Sequence, residues 1–160
     1  MPRYFFDSSP IVKRYHREAG TDWVRRVCAP RSHPVIYLSQ IAQVEVIAAS
    51  RGAGRLESTH PSSFEALINQ FERHITHAAY HPVPAANAVI ALAAKLCSKY
   101  WDINSGPLRS LTAVHLASAL LIASGSSDEL IFVTADTQLA TIAAFQGFRV
   151  VNPAYPPRTG

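Results

Sequence analysis

Apolar positions along the chain follow two periods. Short β-rich runs recur at "RYFFD" (3–7), "VIYLS" (35–39), "LIFVT" (130–134) and "FRVV" (148–151), with "YHPVP" (80–84) as a further short candidate. Between them lie segments of helical period or of unbroken apolar character. The spacing predicts helices over 10–18, stopping near Gly20, and over 21–28. Others are predicted over "QIAQVEVIAASR" (40–51), with Gly52 and Gly54 as its stop, and over "SSFEALINQFERHITHAA" (62–79). Further helices follow over "AANAVIALAAKLCSKY" (85–100), "SLTAVHLASALLIASG" (110–125) and "TQLATIAAFQG" (137–147), with "DINSGP" (102–107) as a loop. Punctuation agrees: Ser9 suits an N-cap with Pro10 at the first helical position, and Ser62 with Glu65 reads as a capping box. The 110–125 segment is apolar nearly all round, as a central buried helix would be.

Strands that alternate with helices imply an α/β fold with a mainly parallel, short-stranded sheet flanked by helices. Repeats, linkers and low-complexity segments are missing, so residues 1–153 read as a single domain and 154–160 as a C-terminal tail. The composition, 48% apolar and 16% charged over 160 residues, is that of a globular chain. Apolar runs break well before the roughly 18 residues needed to span a bilayer. The N-terminus lacks a basic segment followed by a long apolar one, so no secretion signal and no membrane partner are expected. Cys28 and Cys97 form no CxxC pair, and a cytoplasmic location is the expectation. Net charge is +4, and twelve of the fifteen cations are arginine, whose planar fork suits phosphate.

In open parallel sheets, sites form beyond the carboxyl ends of the strands. Asp7 follows the first β run and Asp136 follows "LIFVT", so both acids are expected at one sheet edge. Each also has a local explanation, Asp7 near a helix start and Asp136 as an N-cap. Glu45 falls at the i+4 place on a face marked by Ile41, Val44, Ala48 and Ala49. A carboxylate buried there needs an arginine or a metal. Thr112 and His115 share a face of the apolar helix, where His115 reads best as a core residue that orients a neighbour. Oxygen ligands without a Cys/His cluster favour Mg²⁺ or Mn²⁺ over zinc.

With those residues in place the chain resembles a PIN domain of the VapC-like ribonuclease toxins of type II toxin–antitoxin pairs. Four blocks carry the likeness: "FFDSSPIVKRYHREAG", "LSQIAQVEVIAAS", "LRSLTAVHLASAL" and "FVTADTQLATIAAFQGFRVVNP". The resemblance implies a three-layer α/β/α fold and an acidic pocket that binds Mg²⁺ or Mn²⁺. It also implies hydrolysis of RNA phosphodiesters and a small antitoxin protein as partner, and it allows a homodimer. Asp7, Glu45 and Asp136 match three of the family's acidic positions and become the expected catalytic residues and metal ligands. Ser8, Ser9 and Thr134 would hydrogen-bond them, with Thr112 and His115 in the same pocket. RNA contacts are expected from Lys13, Arg14, Arg51, Arg55 and Arg109.

The fourth acidic position departs from the pattern, because Thr112 stands where aspartate is usual. Its oxygen is neutral. One unit charge pair at 4 Å and an effective dielectric of 20 is worth roughly 4 kcal/mol before desolvation. A weaker metal site is therefore expected, with Asp102 as a conceivable substitute. Two functions compete: a metal-dependent endoribonuclease, and a catalytically impaired PIN domain that binds RNA or an antitoxin without cutting. A haloacid-dehalogenase-type phosphotransferase would need a second acid two residues after Asp7, where Ser9 stands.

Overall fold

The fold is read from a computed structural model that describes residues 1–29, 34–56, 61–102 and 106–157; the side chains of 52–56 and 61–64 fall outside the description. In chain order the elements are β1 (Arg3–Phe6), α1 (Ser8–Tyr15), α2 (Thr21–Val27), β2 (Val35–Ser39), α3 (Ala42–Leu56) and α4 (Pro61–Thr76). They continue with β3 (His81–Val83), α5 (Asn87–Lys99), α6 (Ser110–Ser124), β4 (Leu130–Val133), α7 (Thr137–Phe145) and β5 (Arg149–Val151). The strands form one sheet in the order β3-β2-β1-β4-β5, with every neighbouring pair parallel. β1 is central, and Phe6 stands opposite Leu38 on one side and Val133 on the other.

Side chains alternate across a strand, so neighbours in sequence feed opposite layers. Phe5 and Phe132 stack at 5.5 Å and point into a core shared with Leu96 of α5, Leu116 of α6 and Ile142 of α7. Phe6 and Val133 point the other way, onto Ile11 of α1, Val24 of α2, Val46 of α3 and Phe71 of α4. Helices thus cover both faces, which is why the strands read as continuous apolar runs. The result is the three-layer α/β/α arrangement expected from the resemblance. Among the described residues no helix is long and apolar enough to cross a membrane.

Local details differ from the sequence reading. Asp7, not Ser9, caps α1, so Ser8 opens the helix and Pro10 sits third, still within the turn whose N–H groups need no helical partner. Helix α3 runs through Gly52 and Gly54 to Leu56. Glycine weakens a helix by about 1 kcal/mol but stops one only where the backbone turns left-handed. The inward face of α3 is Ala42, Val46 and Ser50, while Val44, Ala48 and Ala49 are exposed. The strip that the sequence marked through Val44, Ala48 and Ala49 therefore lies beside the inward face and not on it. Helix α4 begins at Pro61, which places Ser62 inside the first turn and not at the cap; its side chain lies outside the described residues. Gly20 has φ +96°, and a Cβ there would stand 2.6 Å from the Pro153 carbonyl oxygen, so only glycine lets α2 start against the chain after β5.

Candidate active site

Because β1 and β4 are parallel neighbours in register, their carboxyl ends deliver Asp7 and the Thr134–Asp136 turn to the same edge. Asp7 is 4% exposed. Its Oδ1 accepts from the Ser9 backbone N–H at 2.9 Å and from Ser9 Oγ at 2.7 Å, and its Oδ2 accepts from Thr134 Oγ1 at 2.5 Å. The same hydroxyls accept in turn: Ser9 Oγ from the Ala135 N–H and Thr134 Oγ1 from the Asp136 N–H, each at 3.0 Å. Two hydroxyls therefore stitch the strand ends together around one carboxylate. Burial pushes the Asp7 carboxyl above its ordinary pKa; the Thr134 hydrogen bond, the nearby His115 and the Ser9 hydrogen bonds pull it partly back.

Asp136 caps α7 through Oδ1, which accepts from the Leu139 N–H at 3.0 Å. Its Oδ2 accepts from Arg109 Nη2 at 2.7 Å. Arg109 stands at the start of α6 with its side chain 73% exposed. Both readings of Asp136, cap and pocket acid, hold at once.

Glu45 lies in the first turn of α3, half-exposed, and its Oε2 accepts from His115 Nε2 at 2.7 Å. The side chain that partners it is a histidine, which the sequence reading had not named for this role. Burial raises the Glu45 pKa. The His115 hydrogen bond and charge, a Ser8 hydrogen bond and Arg109 outweigh it, and the net result is a carboxyl below its ordinary value. His115 is buried on α6, and its Nδ1 has no partner. Its one described hydrogen bond is the one to Glu45.

Asp7, Ser8, Ser9, Glu45, Arg109, Thr112, His115 and Asp136 line one cleft of about 670 Å³, joined by Ser110, Leu111 and Leu139. Thr112 is buried in its wall. Thr134 lies beneath the cleft, bonded to Asp7. The cleft is rich in hard oxygen donors, which fits Mg²⁺ or Mn²⁺ in kind. The arrangement is less open. Arg109 holds Asp136 and His115 holds Glu45. Among the described residues no three His, Cys, Asp or Glu side chains form a group that could hold a metal ion.

The remaining expected contacts scatter. Lys13 is buried and pairs with Glu18 at 2.9 Å, so it offers RNA no cation. Arg14 points into a different cavity, where it donates to Tyr80. Arg51 is exposed on α3 and does not line the cleft. The Arg55 side chain lies outside the described residues. Asp102 is exposed and also outside the cleft. Sequence reasoning named Arg109 only as an RNA contact and missed its pairing with Asp136. The only signal was that a residue before the α6 helix must lie at the same sheet edge.

No protein-family model and no curated protein sequence matches the chain. Solved structures do. A chain of FitAB bound to an IR36 DNA fragment aligns over 98% of this chain and 99% of its own, with a TM-score of 0.63 and 17% identity. FitAcB from Neisseria gonorrhoeae aligns over 94% and 97%, with a TM-score of 0.65 and 16% identity. A toxin–antitoxin complex from Klebsiella pneumoniae aligns over 96% and 99%, with a TM-score of 0.58 and 17% identity. At these identities the likeness establishes the fold, one shared with chains of toxin–antitoxin complexes and consistent with the PIN-like reading.

Proposed function

We propose that this chain is the toxin-like member of a toxin–antitoxin pair, an endoribonuclease that hydrolyses RNA phosphodiester bonds and is held by a small antitoxin protein. One observation carries the reading: three acids more than thirty residues apart in sequence, Asp7, Glu45 and Asp136, line a single cleft at the sheet's carboxyl edge. Such clefts in parallel sheets are where ligands bind. The fold shared with toxin–antitoxin chains supports the partner.

The chain's own residues have distinct parts. Arg109, exposed at the rim, can place N–H donors on the phosphate oxygens. Glu45, kept ionised by His115, can take a proton from the attacking water while His115 fixes the carboxylate's direction. The new P–O bond forms as the bond to the 3′-oxygen breaks, and that oxygen takes a proton from solvent water and leaves as a hydroxyl. Asp7, Asp136 and Glu45 would hold Mg²⁺ or Mn²⁺ only after rearrangement, with Arg109 released from Asp136, because as they stand they form no metal-holding group among the described residues. A bound dication would polarise the phosphate and lower the pKa of a water.

The test is cleavage of structured RNA with added Mn²⁺, in the wild type and in Asp7→Asn. Metal-dependent cleavage that the substitution abolishes supports the reading. A second reading, RNA or antitoxin binding without hydrolysis, is favoured by Thr112 in the cleft wall and by the engagement of Asp136 with Arg109. RNA retention on the wild type without cleavage at any Mn²⁺ concentration would establish it in place of the first.

A further inference from the structure

A second cavity, of about 450 Å³, opens between α1, α2 and α4 and shares no residue with the acidic cleft. Arg14, Tyr15, Arg25, Cys28, Leu67 and Gln70 line it. Arg14, in the last turn of α1, donates from Nη1 to Tyr80 Oη at 2.6 Å and from Nη2 to His74 Nε2 at 3.4 Å. Its guanidinium carbon stands 5.3 Å from the Tyr80 ring centre and 5.9 Å from that of Tyr15. A guanidinium only donates, so His74 Nε2 is the acceptor and the ring hydrogen sits on Nδ1, which donates to Tyr15 Oη at 2.6 Å. Arg25 is anchored to the same helix, its Nε donating to the Arg14 carbonyl oxygen at 3.2 Å. Each guanidinium carries five N–H donors, so donors remain on both.

Among the described residues no acid lines the cavity. Burial pushes the Tyr15 hydroxyl up to about 12 and the Cys28 thiol up to about 11, so both stay protonated at neutral pH. Burial, aided by Arg14, lowers His74 to about 4, which keeps the ring uncharged. Among the described residues no carboxylate lines the cavity or stands within ion-pair distance of Arg14 or Arg25. A half-buried cation is costly without an opposite charge, and stacking on aromatic rings offsets only part of that cost.

We propose that this cavity is an oxyanion site, in which Arg14, held rigid by Tyr80 and His74, and Arg25 together grip one phosphate or carboxylate group. The rigid partner sets the direction of the fork, and the exposed one closes on the ligand.

The experiment is a nitrogen-15 amide titration of the full chain with sodium phosphate and, separately, sodium acetate, at ionic strength fixed with sodium chloride. Saturable shifts centred on Arg14, Arg25, Cys28 and Ala29 are expected, weakened at least tenfold in Arg25→Gln. Arg25 is exposed, and that variant should fold as the wild type does, checked by circular dichroism. Saturation by phosphate alone points to a phosphate-bearing ligand, by acetate alone to a carboxylate, and by both to any oxyanion; each supports the site. Shifts that stay linear, saturation unchanged in Arg25→Gln, or shifts centred on Arg109 and the acidic cleft would overturn it.

Discussion

The acidic cleft and the arginine cavity are both made of polar side chains bridged by hydroxyls, and they differ in what sets their geometry. In the cleft the setting is strand register. Phe6 opposite Val133 leaves the next residues, Asp7 and Thr134, at hydrogen-bond distance. In the cavity it is packing. Arg14 and Tyr15 come from α1, His74 from α4 and Tyr80 from the residue before β3, and aromatic rings hold a cation where no strand aligns the donors. A sheet edge gathers negative charge by topology, whereas a helical layer holds positive charge by stacking. Substitutions in one region should therefore leave the other's property intact.

Asp7→Asn should break the cleft most strongly. A carboxylate accepts with both oxygens here, and an amide has only one oxygen to accept with, so Thr134 or Ser9 loses its partner. RNA hydrolysis in single-turnover assays should fall about 100-fold or more, with phosphate titration of the arginine cavity unchanged. Tyr80→Phe is the converse. Tyr80 is 1% exposed, and without its hydroxyl the Arg14 Nη1 loses an acceptor in a half-buried setting. Urea unfolding should show a loss of about 2 kcal/mol, while cleavage per folded molecule stays at the wild-type rate. A matching loss of activity would mean that the two regions are coupled.

The same contrast explains what could be read from the chain in advance. β-rich runs followed by Asp7 and by the Thr134–Asp136 turn announced a shared sheet edge, because parallel strands all end on one side. The helix face of Glu45 was misjudged, since small alanines at 48 and 49 are tolerated in solvent and do not mark a core face, yet the residue still reached the cleft through its place at the helix start. Lys13 and Arg14 looked alike as exposed cations. Only the tertiary packing turns Lys13 toward Glu18 and Arg14 under Tyr80. The arginine cavity left no linear signature, because its members come from four separated segments with no common spacing.

Thr112→Asp sharpens the cleft side. Thr112 is 8% exposed and lines the pocket, so an added carboxylate would face Asp7 and Asp136. Mn²⁺ affinity, followed by calorimetry, should rise about tenfold, a modest share of the Coulomb energy of a charge pair because water and Arg109 already screen the site. Unchanged affinity would remove Thr112 from any part in ion binding.

The smallest effect separates the regions by pH. Burial and Arg14 hold His74 at about 4 against an ordinary 6.5, so the folded ring stays neutral where the unfolded chain is already protonated. The unfolded state then binds more protons, and stability present above about 6.5 is lost progressively as pH falls toward 4. Asp7 acts in the opposite sense. Its raised pKa means that the folded state takes up a proton more readily than the unfolded chain, which favours folding as pH drops. The two contributions are separated by His74→Gln, whose amide oxygen can accept from Arg14 and whose amide nitrogen can donate to Tyr15 without titrating. The urea midpoint of the wild type should fall relative to this variant between pH 7 and pH 5. A constant difference across that range would mean that the ring is not held neutral against Arg14, and the cavity's positive charge would lose the rigid partner on which its geometry depends.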